Sequence, residues 1–462
     1  MPDGDVGPTR RQAKIRFGLP ESRQPRPMPR RVLILGASGF IGSSLARAFA
    51  RDGWIVRAGA RRPETARRLA PSHDWVRAEF GDLTTPESWA PLLAGVTVVV
   101  NCVGVLQDGP GDSHAVAHVE GPSALIAACE AAGVRRLIHI SAVGADDEAG
   151  TAYARTKAET ERRVTASSLD WIILRPSLVL ARASYGGTAM LRGLAACPGV
   201  IPVLGGDQMF RPVAMEDLCA AAIALADESA PARMTLDVGG PDLVSQSNLL
   251  RGLRGWLGLK PAPVIRIPVW MAWPAVKIGD LIGLLGWPSS FRTTSVQQMA
   301  HGAAGGPPDI LTAATGISPR GFEAILFADP ATTADRWQAR LYFVRPASIV
   351  ALGLFWLATG LVSLGPGFEV AKQHLMTAGF SDAAAWHGTF WGGWFDVIMG
   401  LALWIRRWTR TVAVGMFVAT LGYLLGATLW APQLWLDPLG PWLKVLPMMM
   451  LCLVVAATDD RR

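Results

Sequence analysis

The hydrophobic positions along this chain change character twice. From Arg31 to about Leu178, short β-branched runs alternate with Ala-rich stretches of helical length. The runs at Val32–Leu35, Trp54–Ala58, Val76–Glu79, Val96–Asn101, Arg136–Ile140 and Trp171–Leu174 are apolar at most successive positions. Both faces of such strands must be buried, as in a parallel sheet covered by helices. Repeated βα units therefore predict an α/β fold of the Rossmann type, a doubly wound parallel sheet. From Val179 to about Pro330 the pattern loosens and Pro and Gly become frequent, which suits a small substrate lobe. The predicted nucleotide-binding domain thus spans 31–330. Within the lobe, Pro268–Gly286 is very apolar but carries Pro274, Lys277 and Asp280. These argue against a bilayer span. A core helix of the lobe is the preferred reading, and a helix lying on a membrane surface is the alternative.

After a linker at 331–345 the apolar runs lengthen to Pro346–Leu364, Ala383–Ile405, Thr411–Trp430 and Val445–Thr458. A helix needs about 20 apolar residues to cross a bilayer. The first three runs qualify and the fourth, shorter and interrupted by Pro447, completes a predicted all-α transmembrane four-helix bundle over 346–458. Several Trp residues, among them Trp404, Trp408 and Trp430, fall near the ends of these runs, where interfacial aromatics gather. Arg340 and Arg345 precede the first run, Arg406, Arg407 and Arg410 separate the second from the third, and Arg461 and Arg462 follow the fourth. The bias of basic residues toward the inside then puts the nucleotide-binding domain in the cytoplasm of a multi-pass protein, with a bacterial inner membrane as its location. An acid inside a membrane run is costly and marks a functional or bundle-bracing position. Asp396 is such a residue. His387, nine residues earlier, falls on roughly the opposite helix face.

Charge sharpens this picture. The formal net charge is +7, but residues 1–31 hold eight basic against three acidic side chains and so account for +5 of it. The remainder is nearly neutral, which gives no footprint for a nucleic-acid partner. Residues 1–30 are rich in Pro, Arg and Gly, have no apolar period and read as a disordered tail; translation from Met28 is an alternative start. The five cysteines are scattered without a CxxC pair, so neither a zinc site nor a redox dithiol is indicated.

The strongest local motif is Gly36-Ala37-Ser38-Gly39-Phe40-Ile41-Gly42, which leaves a strand and opens a helix. Glycine permits the tight turn, the approach of backbone to a pyrophosphate and the close packing of helix on strand. The helix N-terminus favours the anion. The position where an NAD-selective fold carries an acid holds Ala60, Arg61 and Arg62 instead. Guanidinium groups suit a ribose 2′-phosphate, so NADP(H) is expected over NAD(H). Asp82 follows the third strand, where it could accept from the adenine amino group or simply cap a turn. Asn101 to Gly104 ends the fourth strand beside the expected groove. Ser141, Tyr153 and Lys157 are the catalytic candidates. Tyr153 and Lys157 stand four residues apart, on one helix face. There the ammonium is expected to lower the tyrosine pKa, the tyrosine to move a proton at a substrate oxygen, and Ser141 to hydrogen-bond that oxygen.

The segments GASGFIG (36–42), GDL (81–83), NCVGV (101–105), HISAVGA (139–145), YARTKAETE (153–161), ILRPS (173–177) and DILTAATGISPRGF (309–322) resemble the atypical, extended short-chain dehydrogenase/reductase family. Within it they are similar to the branch of the NAD(P)H-binding accessory subunit of respiratory complex I. This resemblance covers Val32 to Phe327, and Pro346 to Thr458 resembles the DoxX-like family. It implies that Gly36, Gly39 and Gly42 hold the pyrophosphate, Arg61 the 2′-phosphate and Asp82 the adenine. Tyr153 and Lys157 would face the nicotinamide and its ribose, and Pro176 would close the groove. The expected activity is that of a membrane-anchored NADP(H)-dependent oxidoreductase acting on a small hydrophobic, lipid- or quinone-like substrate. Two other readings stay open: a non-catalytic NADP(H)-binding protein that stabilises or senses redox state in a membrane assembly, and an epimerase or dehydratase with a retained cofactor.

Overall fold

The structure is a computed structural model that describes residues 30–459, apart from 107, 110–112, 285–286, 288–291, 302, 437 and 439. The tail over 1–29 lies outside the described residues. Seven strands form one parallel sheet: β1 (Arg31–Leu35), β2 (Ile55–Ala60), β3 (Asp74–Arg77), β4 (Val98–Asn101), β5 (Arg136–Ile140), β6 (Asp170–Pro176) and a seventh, Met234–Val238. Their order across the sheet is 3-2-1-4-5-6-7, all parallel, with the direction of winding reversing between β1 and β4. That reversal is the switch point at which open α/β sheets bind ligands.

The apolar strands behave as two-faced elements. In β1, Val32 and Ile34 pack into one helix-covered core and Leu33 and Leu35 into the other, all fully buried. Six of the seven strands follow the sequence pattern. The third runs over Asp74–Arg77, two residues earlier than its apolar pattern predicts, because Trp75 supplies its inward anchor. The seventh strand lies in the stretch where the pattern loosens. Only Leu236 and Val238 along it are buried, so an apolar run was not there to be read.

The lobe has its own core around Met190, Leu191, Leu194, Leu249, Leu250 and Leu253. Pro268–Gly286 does not join it. The helix Val269–Leu284 buries Ala272 and Val276 but leaves Trp270, Met271, Ile278 and Leu281 more than half exposed. The core reading is therefore corrected: the segment is an apolar surface helix. Its apolar residues run round the whole helix, and one narrow flank is enough to pack on the lobe.

The stretch 331–345 is not a separate linker. A single helix, Thr333–Leu364, begins in the lobe and continues into the C-terminal bundle. The helices Asp382–Leu403, Thr409–Trp430 and Pro441–Ala457 complete that bundle, with a short helix, Phe368–Thr377, between the first two. Thr333–Leu364 and Thr409–Trp430 are long and apolar enough to cross a membrane; Trp442–Ala457 is apolar but shorter. The first two long helices meet through glycines. A Cβ on Gly360 would lie 2.6 Å from the Gly393 carbonyl oxygen, and one on Gly400 would lie 2.8 Å from that of Gly353. Small residues of this kind let helix backbones approach where lipid offers no hydrophobic drive. Arg345 pairs with Asp459 at 3.2 Å, so the last helix ends level with the start of the first apolar run. Trp287 donates its indole N–H to the Trp404 carbonyl at 2.7 Å, joining the lobe to the same end of the bundle.

Candidate active site

The glycine-rich turn takes the form its residues demand. Gly36 has φ +72°, a left-handed conformation that side chains disfavour, and a Cβ there would press within 3.2 Å of the Cys102 backbone. Gly39 sits at the N-cap of the helix Phe40–Arg51 without a side-chain cap. A Cβ on Gly42 would lie 2.2 Å from the Gly36 carbonyl oxygen. The backbone therefore folds back on itself so tightly that the amides of Phe40, Ile41 and Gly42, in the first turn, are left for an anion. Ser38 and Gly39 are exposed at its lip.

Beyond β2, Arg61 and Arg62 are both exposed, with Arg62 at the N-cap of a short helix, Pro63–Leu69. Arg77, at the end of β3, joins them by donating to the Arg61 carbonyl at 3.4 Å, and its guanidinium pairs with Asp82 at 2.7 Å. The structure thus gathers three arginines at one rim, and Asp82 is engaged by one of them. Arg77 was not foreseen, because no motif spacing assigns that strand-end position.

The catalytic candidates come from β5 and the helix Ala152–Thr165. Thr151 caps that helix by accepting the Ala154 N–H at 3.2 Å. This sets Tyr153 in its first turn and Lys157 one turn on. Lys157 is buried and donates to the carbonyl of Ile140, the last residue of β5, at 3.0 Å. Ser141 follows, with its backbone N–H tied to the Leu174 carbonyl at 2.7 Å and its buried hydroxyl without a partner among the described residues. Gly104 passes so close that a Cβ there would lie 3.4 Å from the Lys157 Nζ. Asn101 turns inward instead of facing the groove: its Oδ1 accepts the Val103 N–H at 3.0 Å and shapes that loop. Pro176 closes β6, and its carbonyl accepts the Val143 N–H at 3.3 Å.

The electrostatics depart from expectation at Tyr153. Burial pushes its hydroxyl up to about 12, not down. The Lys157 ammonium is turned to the Ile140 carbonyl and is itself lowered by burial to about 8.

His118 was not identified from sequence, since a lone histidine carries no spacing signal. It lies on a π-helical turn, Ala115–Glu120, and its ring packs edge-on against Tyr153 at 5.6 Å between centroids. Such turns recur at functional sites. Its Nε2 accepts the Val105 N–H at 3.0 Å and its Nδ1 lies 2.8 Å from the Thr156 hydroxyl. Burial and then the Lys157 charge lower its pKa to about 2, so the ring is neutral. It pins the Asn101–Val105 loop to the helix that carries Tyr153 and Lys157.

A buried ammonium that titrates near 8 gives a test. Cofactor affinity should fall as pH rises through about 8, where Lys157 loses its charge. Titration of the reduced cofactor between pH 7 and 9.5 should show this fall in the native chain and a weaker, flat profile in Lys157→Met. The same slope in both would remove Lys157 from the cofactor site.

With this geometry in view, the chain can be set beside known proteins. Residues 36–194 match a family described as NAD(P)H-binding, and residues 353–453 match the DoxX-like family. The chain is 30% identical over 260 residues to the dTDP-4-dehydrorhamnose reductase of Mycobacterium tuberculosis, covering 51% of this chain and 78% of that one. It is 28% identical over 242 residues to the ceramide reductase of Caulobacter vibrioides, covering 51% of this chain and 73% of that one. It is also similar to NADH dehydrogenase (ubiquinone) 1 alpha subcomplex subunit 9 of Arabidopsis thaliana, at 27% over 230 residues, covering 47% of this chain and 55% of that one. The chain belongs to the NAD(P)H-binding, extended short-chain dehydrogenase/reductase family, in a form whose Rossmann domain is followed by a C-terminal DoxX-like domain.

Proposed function

We propose that this protein is a membrane-anchored, NADPH-dependent reductase of a lipid-like substrate. The observation that carries the reading is the grouping at the end of β5: a buried Lys157, a buried Ser141 hydroxyl without a partner among the described residues, and Tyr153 one helical turn from the lysine. An unpartnered buried hydroxyl is costly unless something else binds it. A substrate oxygen would accept from Ser141 and receive its proton from Tyr153, while the nicotinamide supplies hydride. Once a cofactor is bound, Lys157 would hold its ribose. The arginine rim of Arg61, Arg62 and Arg77 supports a 2′-phosphate, and therefore NADPH over NADH. The C-terminal bundle, the exposed apolar helix Val269–Leu284 and the resemblance to a ceramide reductase support a lipid-like substrate. The basic residues at the lobe-side end of the bundle support a cytoplasmic enzyme domain of four-span topology.

The high pKa of Tyr153 favours one alternative, a cofactor holder without turnover, and substitutions separate the two. Tyr153→Phe should retain cofactor binding and lose turnover by about 10²-fold or more, the usual worth of a positioned general acid. Lys157→Ala should impair both. An unchanged activity and phenotype in Tyr153→Phe, with cofactor retention abolished in Lys157→Ala, would replace the reductase by the holder.

NADPH should bind more tightly than NADH, and Arg61→Ala should narrow the gap. Fluorescence titration with each cofactor checks this; equal affinities in the native chain would sink the assignment. Reporter fusions after Gly365, Arg410, Leu436 and Arg462 should read outside, inside, outside and inside. An inside signal at Leu436 would contradict four spans.

A further inference from the structure

The lobe helix Val269–Leu284 presents three stripes. Ala272, Val276, Gly279 and Gly283, at i, i+4, i+7 and i+11, are buried against the lobe. Trp273, Lys277 and Asp280 form an edge beside them. The Lys277 ammonium stands over the Trp273 ring at 5.2 Å and 3.7 Å from the Asp280 carboxylate. The face opposite the buried stripe is apolar, and Trp270, Met271, Pro274, Ile278 and Leu281 are all exposed on it. A helix bordering water carries polar side chains on this face, whereas one that is apolar all round is ordinarily covered on every side. A contiguous exposed patch of this kind marks an interaction surface.

The position of the helix identifies what covers it. Trp287 donates its backbone N–H to the carbonyl of Ile282, in the last turn, at 3.3 Å. Its indole N–H donates to the Trp404 carbonyl at 2.7 Å, and its ring packs against the core of the bundle. The end of the lobe helix is therefore within the reach of one side chain of the turn between the second and third bundle helices. Arg407, Trp408 and Arg410 are exposed at that turn. Aromatic and basic residues of this kind gather where a spanning helix meets the inner polar boundary of a bilayer. The apolar face thus starts at the level of the lipid headgroups. Its edge suits that boundary too, because a lysine can lay its methylenes along apolar surface and keep its charge in water. At 16 residues, with Lys277 and Asp280 within it, the helix is too short and too polar along one edge to cross.

We propose that Val269–Leu284 lies in the plane of the membrane, with the face of Trp270, Met271, Ile278 and Leu281 sunk about 5–10 Å into the boundary between headgroups and acyl chains on the enzyme side. The partner is the lipid surface itself. Because Val276 and Ala272 pack with Leu204 and Val296 of the lobe, this helix would hold the lobe on the bilayer independently of the bundle. The inference rests on the membrane reading of the bundle and not on turnover at Tyr153.

The test uses the full chain in phosphatidylcholine nanodiscs, with a nitrobenzoxadiazole label on a cysteine introduced by Ile278→Cys, Leu281→Cys, Val418→Cys or Ala90→Cys. Val418 is exposed midway along Thr409–Trp430, and Ala90 is exposed on the helix Pro86–Leu93 of the nucleotide-binding domain. The native chain carried through the same labelling is the blank. Phosphatidylcholine bearing a nitroxide on its acyl chain should quench the labels at positions 278, 281 and 418 by about twofold or more, and aqueous iodide should spare them. A nitroxide close to the headgroup should act best at 278 and 281, and one close to the chain end best at 418. The label at position 90 should respond to iodide alone. Iodide quenching at 278 and 281 as strong as at 90 would overturn the in-plane helix. Protection from iodide without quenching by the nitroxide lipids would also overturn it, since protein, such as a second copy of the chain, would then cover the face. Lipid quenching at 418 with none at 278 and 281 would sink this inference alone. Absence of lipid quenching at 418 would overturn the membrane reading of the bundle and this inference with it.

Discussion

A buried carboxylate joins the two halves of this molecule. Asp335 accepts from the Thr332 backbone at 2.7 Å and from its hydroxyl at 2.6 Å, forming the capping box that starts the 32-residue helix Thr333–Leu364. The same carboxylate lies 3.6 Å from Arg192, in the lobe, with both side chains almost fully buried. Arg192 in turn donates to the carbonyls of Ala181 and Arg182 and stacks over Trp256 at 4.5 Å. Removing one partner from such a pair costs about 3–5 kcal/mol, because the other charge is left buried alone. The helix that begins on this contact runs on into the bundle, with Pro346 inside it withholding one N–H from the ladder. The position of the enzyme domain on the membrane domain is thus set by a helix and not by a tether.

Further contacts reinforce that placement. Tyr342 fills the space left by Gly193, Trp287 is hydrogen-bonded to the end of the second bundle helix, and Arg345 meets Asp459. The exposed apolar flank of Val269–Leu284 belongs to the same region of the lobe. An enzyme that must take a substrate from a bilayer benefits from a lobe held at its surface, and this arrangement supports such a role.

The candidate site depends on a second constraint, the burial of Lys157. An ammonium is costly to bury, and here it donates to a main-chain carbonyl, that of Ile140. The loop Asn101–Val105 is drawn over it by Asn101 and His118, so that neither residue needs to touch a cofactor to matter for the site. The result is a lysine that remains charged at neutral pH and titrates just above it, next to a tyrosine whose hydroxyl the protein alone does not activate. Activation would have to come from what binds there.

The sequence by itself determined the elements whose physics is local. Two-faced apolar runs specified the central strands, glycine spacing specified the phosphate turn, and the i, i+4 pair placed Tyr153 and Lys157 on one helix face. Runs of about 20 apolar residues marked the bundle. Tertiary structure decided what depends on groups far apart in the chain. His118, 35 residues before Tyr153, packs on its ring, and Arg77 joins Arg61 across two strands. The direction of the tyrosine shift followed from its burial, which spacing cannot reveal. The Val269–Leu284 helix was exposed because the lobe filled its core with other side chains. Asp396 stood out in sequence as an acid in an apolar run, but the hydroxyls it meets, of Thr359 and Tyr423, come from the first and third helices. Only the closed bundle brings these three side chains together, because each helix satisfies its own backbone and leaves side-chain pairing to its neighbours.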